Sequence, residues 1–389
     1  MLTVTDDDLL DRAAERKAEL VAFAWHMPWI SKRLVKELHR QFGDPIDTDE
    51  MHLINAIDQF VLQERLPDGR TVVEHFVAAH RELDELDREM LLGWHDVVEG
   101  IFEVVANTDS SVDAVNVIDQ LRYRLHATSG PSVIAAARSG AFLLARAVPL
   151  GDAWMLSGAQ MIMPKSDRKQ LLQVAAEMAT SRPRLVFRNP ELLARAWELQ
   201  HWERDRFVEF FGADLVVLAG TELQPRWDGY WAWRLRQRPP QAAPTTTKQR
   251  GRQPVQPLAR WELPPELCDA DTIGIVYDEA EGLTFLPDFG QLQAVFDDPG
   301  QALDKAHRQV VQHYLRDDTV SALPFRRLAA GCPEGATLVF RRLLSKPSFL
   351  WERDGESLLR KYKPASFATP PLPCVTVLGD ELARALQAA

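Results

Sequence analysis

Apolar side chains recur at helical spacing through residues 6–92. In the run DTDEMHLINAIDQFVLQ, Leu53, Ile54, Ile57, Phe60 and Val61 share a face, and Asp47 or Thr48 is placed to cap it. The pattern breaks at HMPW (26–29), FGDPIDTDE (42–50) and LPDGR (66–70), so residues 1–92 are predicted to form a helical domain. Its first helix opens with Thr5 as cap and Asp6 to Asp8 at the positive end. Leu9, Leu10 and Ala13 begin its apolar face.

From Trp94 to about Met163 the period shortens to β-rich runs: GIFEVVA, AVNVID, RYRLHAT, AFLLARAVPLG and AWMLSGAQMIM. Turn signals at NTDSS, TSGP and LGD separate them, as in a small antiparallel barrel or sandwich, and five short strands suggest an OB-like or SH3-like barrel. A helix from 167 to about 181, a second capped by Asn189-Pro190 and running to Phe211, and a strand in DLVVLAG complete a segment spanning 93–236. Residues 237–260 hold five prolines, three consecutive threonines and no apolar periodicity, which predicts a flexible basic linker. Residues 261–389 then read as an α+β domain. Its strands are TIGIVYD, GLTFL and PCVTVL; its helices lie around 292–296, 301–315, 325–330, 336–344 and 380–388. The predicted architecture is α+β and multidomain: a helical N-terminal domain, a small antiparallel β-barrel flanked by helices, and a C-terminal α+β domain. No repeat of fixed period occurs.

Composition narrows the function classes. At 389 residues, 46% hydrophobic and 26% charged, the chain is a folded multidomain protein rather than a disordered one. Its 45 basic against 56 acidic side chains disfavour a surface that tracks nucleic acid or anionic lipid throughout. Ten Lys against 35 Arg, with abundant Ala, suggest a GC-rich bacterial gene. Cys268, Cys332 and Cys374 lie too far apart for a zinc knuckle or a redox pair, which fits a reducing cytosol. The acidic start lacks the positive region of a secretory signal, and no apolar run approaches the roughly 20 residues that span a bilayer, so neither export nor membrane insertion is predicted.

Specific catalytic motifs are missing. There is no HExxH; His75 and His80, five apart, point away from each other on a helix, whereas His80 and Asp84 would share a face. In AWELQHWERDRF, Trp197, His201 and Asp205 recur every four residues; the plainer reading is an anchor plus a surface pair. Ser139 and Ser157 lack the GxSxG frame and read as turn serines. Cys332 in AAGCPEGA sits where a helix ends, and GCPEG lacks the Lys-Ser/Thr pair of a phosphate loop. A basic set, Arg326, Arg327, Arg341, Arg342, Arg360, Lys361 and Lys363, would make an anion-binding face only if it converged, the default being a salt-bridged surface. Phe325, Phe340, Phe349 and Trp351 are expected in the core.

The most unusual stretch is RWDGYWAWRLRQRPPQAAPTTTKQRGRQPVQPLARW. Residues 226–260 carry eight basic side chains against Asp228 alone. Trp227, Tyr230, Trp231 and Trp233 interleave with Arg234, Arg236 and Arg238, and Trp261 flanks them. Stacking on unpaired bases plus phosphate neutralisation would let this set contact single-stranded nucleic acid. It could equally dock on an acidic protein surface, or the aromatics could cap the preceding core while the arginines keep a linker solvated.

The runs DVVEGIFEVV, GAFLLARAVPLGDAWMLSG and FVEFFGADLVVL resemble a pattern found in uncharacterised bacterial proteins, over roughly residues 90–236. Some proteins with that pattern end in a small cysteine-rich zinc module, for which this chain has no cysteine pairs. The resemblance implies a bacterial cytosolic protein of unknown role and no particular activity. The leading reading is therefore an uncharacterised soluble cytoplasmic binding or regulatory protein, partly by analogy with other small barrels. Its partner would be an unknown protein or single-stranded nucleic acid, not a membrane, and no cofactor is indicated. The alternative is a metal-assisted or acid-base hydrolase whose site is assembled from distant segments, bringing His75, His80, His95 or His201 together with carboxylates.

Overall fold

In the computed structural model, which describes residues 6–108, 110–128, 135–237, 262–298 and 305–387, the N-terminal pattern folds as α1 (Asp6–His26), α2 (Pro28–Phe42), α3 (Glu50–Gln63), α4 (Val72–Ala79) and α5 (Glu85–Gly93). Asp49, rather than Asp47 or Thr48, caps α3: it precedes the first helical residue and its carboxylate accepts from the His52 amide at 2.9 Å. The expected Thr5 cap lies outside the described residues. Thr71 and Glu74 form a reciprocal capping box on α4. The predicted shared helical face of His80 and Asp84 does not form. His80 ends α4, and Asp84 starts α5 by accepting from the Asp87 amide, so two helix termini separate the pair.

Next come β1 (Val98–Asn107), β2 (Ser111–Asn116), β3 (Arg122–His126), β4 (Phe142–Leu150) and β5 (Ala153–Met163), each paired with two others in the closed order β1-β2-β3-β5-β4. The sheet is mixed rather than wholly antiparallel, because β3 and β5 run parallel. A ring with an odd number of strands cannot alternate direction throughout, and here the parallel seam falls where the β4–β5 hairpin meets β3. Alternation along the strands separates two faces. Phe102, Tyr123, Leu125, Leu143 and Leu156 pack against one another on one of them. On the other, Val148, Leu150 and Met155 share a core with Leu34, Phe60, Phe76 and Trp94 of the helical segment. Then follow α6 (Arg168–Ser181) and α7 (Pro190–Phe211), whose start is capped by Asn189 Oδ1 accepting from Glu191 N at 2.9 Å.

The chain divides into two compact units, Met1–Leu193 with Thr376–Ala389, and Ala194–Val375. The first contains both the helical segment and the five-stranded sheet, so the boundary expected at residue 92 falls inside it.

In the second unit β6 (Leu215–Ala219), β7 (Thr272–Asp278) and β8 (Gly282–Pro287) form an antiparallel sheet with β7 central, and α8 (Gly220–Arg234) follows β6. The expected boundary at 236 therefore also falls inside a unit, since β6 pairs with β7. Ile273, Ile275 and Tyr277 pack with Phe207, Leu223, Trp227 and Tyr230 of α7 and α8. Val276 joins a separate core with Phe289, Phe296, Phe325 and Phe340, built by α9 (Phe289–Asp297), α10 (Lys305–Arg316), α11 (Leu323–Gly331), α12 (Pro333–Leu344) and α13 (Trp351–Tyr362). A Cβ at Gly274 would meet the Phe289 side chain at 2.8 Å, so glycine there lets α9 close on the sheet.

The strand predicted at PCVTVL is absent. Pro370, Pro371 and Pro373 remove ladder donors, and the Cys374 amide donates instead to Gln200 Oε1 at 2.6 Å. The closing helix is α14 (Asp380–Gln387), packed on α6 in the first unit with Arg168 donating to Glu381 at 2.8 Å. Of the expected linker 237–260, all but Gln237 lies outside the described residues. No described helix is long and apolar enough to cross a membrane.

Candidate functional site

Three polar residues stand side by side across the sheet where α3 covers it. Glu99 of β1 faces Arg146 of β4 in register, and Arg146 faces Ser157 of β5. One step along, Ile101, Leu144 and Met161 form a parallel apolar row. Ser157 is thus a buried strand residue, not the turn serine its sequence context predicts, whereas Ser139 does lie in a turn.

From the helix side Asp58, 3% exposed, reaches into this row. Arg146 Nε donates to Asp58 Oδ2 at 3.0 Å, and the Ser157 hydroxyl donates to Asp58 Oδ1 at 2.6 Å. Lys17 of α1 pairs with the same Oδ1 and donates to Ser157 Oγ at 2.7 Å. Burial works against ionisation of Asp58, but Lys17 and Arg146 outweigh it and hold the carboxyl below the usual range. Burial likewise pushes the Lys17 ammonium below its ordinary value, against the pull of Asp58.

Arg146 is fixed from a second direction, its Nη2 donating to Gln63 Oε1 at 2.8 Å. Its Nη1 lies 3.6 Å from Glu99 Oε2, and Arg182, just past α6, places Nη1 2.9 Å from both Glu99 oxygens. The charges therefore alternate from Asp58 through Arg146 and Glu99 to Arg182. At the β5 end Gly158 has φ +72°, and a Cβ there would come within 2.4 Å of Asn55 Oδ1. Glycine leaves room for that oxygen to accept from the Ala159 amide at 2.9 Å.

Between α3, α6 and this part of the sheet is a cavity of about 530 Å³. Asn55, Gln59, Gln63, Glu99, Arg146 and Arg182 give it polar lining; Phe42, Met51, Leu144, Met161, Val174 and Met178 give it apolar lining. All belong to the first compact unit.

A second buried polar group lies at the β2–β3 turn. Asp119 accepts from the Tyr123 hydroxyl at 2.6 Å and the Leu121 amide at 2.9 Å, and burial raises its carboxyl to about 6.

Apart from Ser157, the residues singled out from sequence are placed elsewhere. Trp227 and Tyr230 are buried in the core of the second unit, with the Phe285 ring 5.1 Å from Trp227 and the Phe207 ring 5.8 Å from Tyr230. Trp231 and Trp233 are half-buried against the same cluster. Arg234 pairs with Glu203 and stacks 4.0 Å over the Trp202 ring. Arg236 is exposed in the turn after α8, and Arg238 lies outside the described residues. The second basic set is dispersed: Arg326 pairs with Glu356, Arg327 with Asp214 and Asp278, and Lys363 is buried with its ammonium on the Asp317 carbonyl. His75 is 2.9 Å from Asp68, while His80 bonds to the Phe76 carbonyl of α4 and His95, in the turn after α5, to the Leu92 carbonyl. Among the described residues no three His, Cys, Asp or Glu side chains gather to hold a metal.

The row that sequence reasoning missed had a signal. Asp58 interrupts an apolar helical face and Arg146 an apolar strand, and a charge in such a position requires a buried partner.

Residues 33–184 match a family of unknown function, DUF7986. The matched stretch includes every residue that lines the cavity, from Gln41 to Arg182. No curated protein matches the chain, and no solved structure does.

Proposed function

We propose that this chain is a cytosolic bacterial binding or regulatory protein and that its closed five-stranded sheet serves as a small barrel for recognition. The ligand is a small organic molecule held between α3, α6 and the β1–β4–β5 face. The observation that carries this reading is the cavity itself: about 530 Å³, with apolar walls and a few convergent polar groups. Pockets for small molecules run to about 300–1,000 Å³ with that kind of lining. Val174 lines the cavity from α6, is 37% exposed and belongs to none of the buried cores, so it can be enlarged without disturbing one. Thermal unfolding of the full chain against a panel of metabolites tests the idea. At least one compound should raise Tm by several degrees, and Val174→Trp should abolish that rise. An undiminished rise in the variant would place the ligand elsewhere.

A second reading, a hydrolase, is favoured by one contact, Lys17 Nζ to Ser157 Oγ at 2.7 Å, because a lysine lowered by burial beside a serine hydroxyl can take its proton. Binding is the stronger reading. The hydroxyl proton of Ser157 is directed at Asp58, and neither Ser157 nor Lys17 lines the cavity. Contact with single-stranded nucleic acid through α8 ranks lower still, since Trp227 and Tyr230 are buried against other rings.

A further inference from the structure

Resting on the reading of the cavity as a ligand site, we propose its ligand class: an amphipathic carboxylate, whose head takes the place of Glu99 on Arg182 and Arg146 while its alkyl body lies on the apolar wall. Arg146 is aimed before any ligand arrives, because Nε is held by Asp58 and Nη2 by Gln63, leaving Nη1 toward Glu99 and the cavity. Arg182 holds the same carboxylate from the α6 side. Two guanidiniums are thus already arranged around one carboxylate supplied by the protein, the geometry a ligand carboxylate needs. Glu99 is half-buried and Arg182 exposed, so their pair can exchange, whereas Arg146, 8% exposed, stays.

Charge favours an anion over a cation. Among the acidic and basic side chains that line the cavity, Arg146 and Arg182 outnumber Glu99 by one. A cationic head would compete with two arginines for Glu99 alone. The body of the ligand is specified by the neighbouring row, where Ile101, Leu144 and Met161 stand beside Glu99 and Arg146 on the strands, with Met178 across on α6. Glu99 then acts as a built-in competitor that selects for heads able to displace it.

Isothermal titration of the full chain with decanoate, decan-1-ol and decyltrimethylammonium tests this. Decanoate should bind about tenfold or more tighter than decan-1-ol, and decyltrimethylammonium weakest. Arg182→Gln should erase the advantage of decanoate over decan-1-ol, with an unchanged thermal unfolding midpoint reporting that the variant is folded. Glu99→Gln should strengthen decanoate binding by about tenfold, the opposite of what loss of a structural ion pair would do. Equal binding of the alcohol and the acid would overturn the proposal and leave the cavity as a ligand site. Binding by none of the three at about 1 mM would also overturn it; the broader reading falls only if the metabolite panel shows no Val174→Trp-sensitive compound.

Discussion

Arg146 and Asp58 meet at 3.0 Å although 88 residues separate them, joining β4 to α3. Asp58 is the hub: Lys17 from α1 and Ser157 from β5 reach the same carboxylate, so one buried anion ties two helices to two strands. A buried charge set of this kind adds little net stability over an apolar substitute, but losing one member leaves its partners charged and unpaired. What the set does here is hold Arg146 in one orientation toward the cavity.

Asp58→Ala should therefore cost about 3–5 kcal/mol, because it removes the counterion of buried Lys17 and the nearest carboxylate of Arg146. Ser157→Ala removes one hydroxyl bonded to charged partners and should cost less, about 1.5–3 kcal/mol. Urea unfolding of the two variants measures the contrast, and equal losses would deny Asp58 its central role.

Much of the secondary structure was legible in the chain, and the reasons are local. The runs AWMLSGAQMIM and TIGIVYD coincide with β5 and β7, and Asn189-Pro190 does start α7, because alternation and capping are decided by near neighbours. His80 was misplaced because HRELDELDRE contains no Gly or Pro to announce the break that Asp84 makes by capping. The candidate site was not legible. Asp58 and Arg146 each stand out as a charge in an apolar run, but which charges meet is decided by the register of β1, β4 and β5 and by where α3 lands. Conversely, the dense Trp and Arg pattern of α8 drew attention because of composition, while its Trp227 and Tyr230 serve packing.

Asp119 gives the fold a pH signature. Its carboxyl is raised from 3.8 to about 6 in the folded state by burial, so between those values the folded chain holds a proton that the unfolded chain has released. Stability must then fall as pH rises from about 4 to about 6, by about 3 kcal/mol from this group, and level off above. Asp119→Asn removes the titration. Unfolding free energies from pH 4 to 7 should show the parent losing stability relative to the variant across that window; parallel curves would refute the assignment.

Gly158 is the tightest backbone position beside the cavity. With φ at +72° and Asn55 Oδ1 2.4 Å from where a Cβ would sit, Gly158→Ala combines left-handed strain with loss of the Asn55–Ala159 hydrogen bond. A cost of about 1–3 kcal/mol is expected. Asn55→Ala in the same background should recover part of it by clearing the clash, and chemical unfolding of the single and double variants decides whether it does.

Arg234 was a candidate for gripping phosphate, and its surroundings predict a different behaviour. Its guanidinium lies 4.0 Å over the Trp202 ring and pairs with Glu203, so its donors already have an acidic partner. Arg234→Ala should lower stability by about 1–2 kcal/mol through lost stacking and pairing. A phosphate contact would make itself known through salt, since each one contributes about 0.7 to the slope of log K against log salt for single strands. Fluorescence anisotropy with a labelled oligonucleotide at several salt concentrations, run on the parent and on Arg234→Ala, should give the same slope for both. A slope flattened by about 0.7 in the variant would mean that Arg234 leaves Glu203 to contact phosphate, and would return α8 to the centre of the functional question.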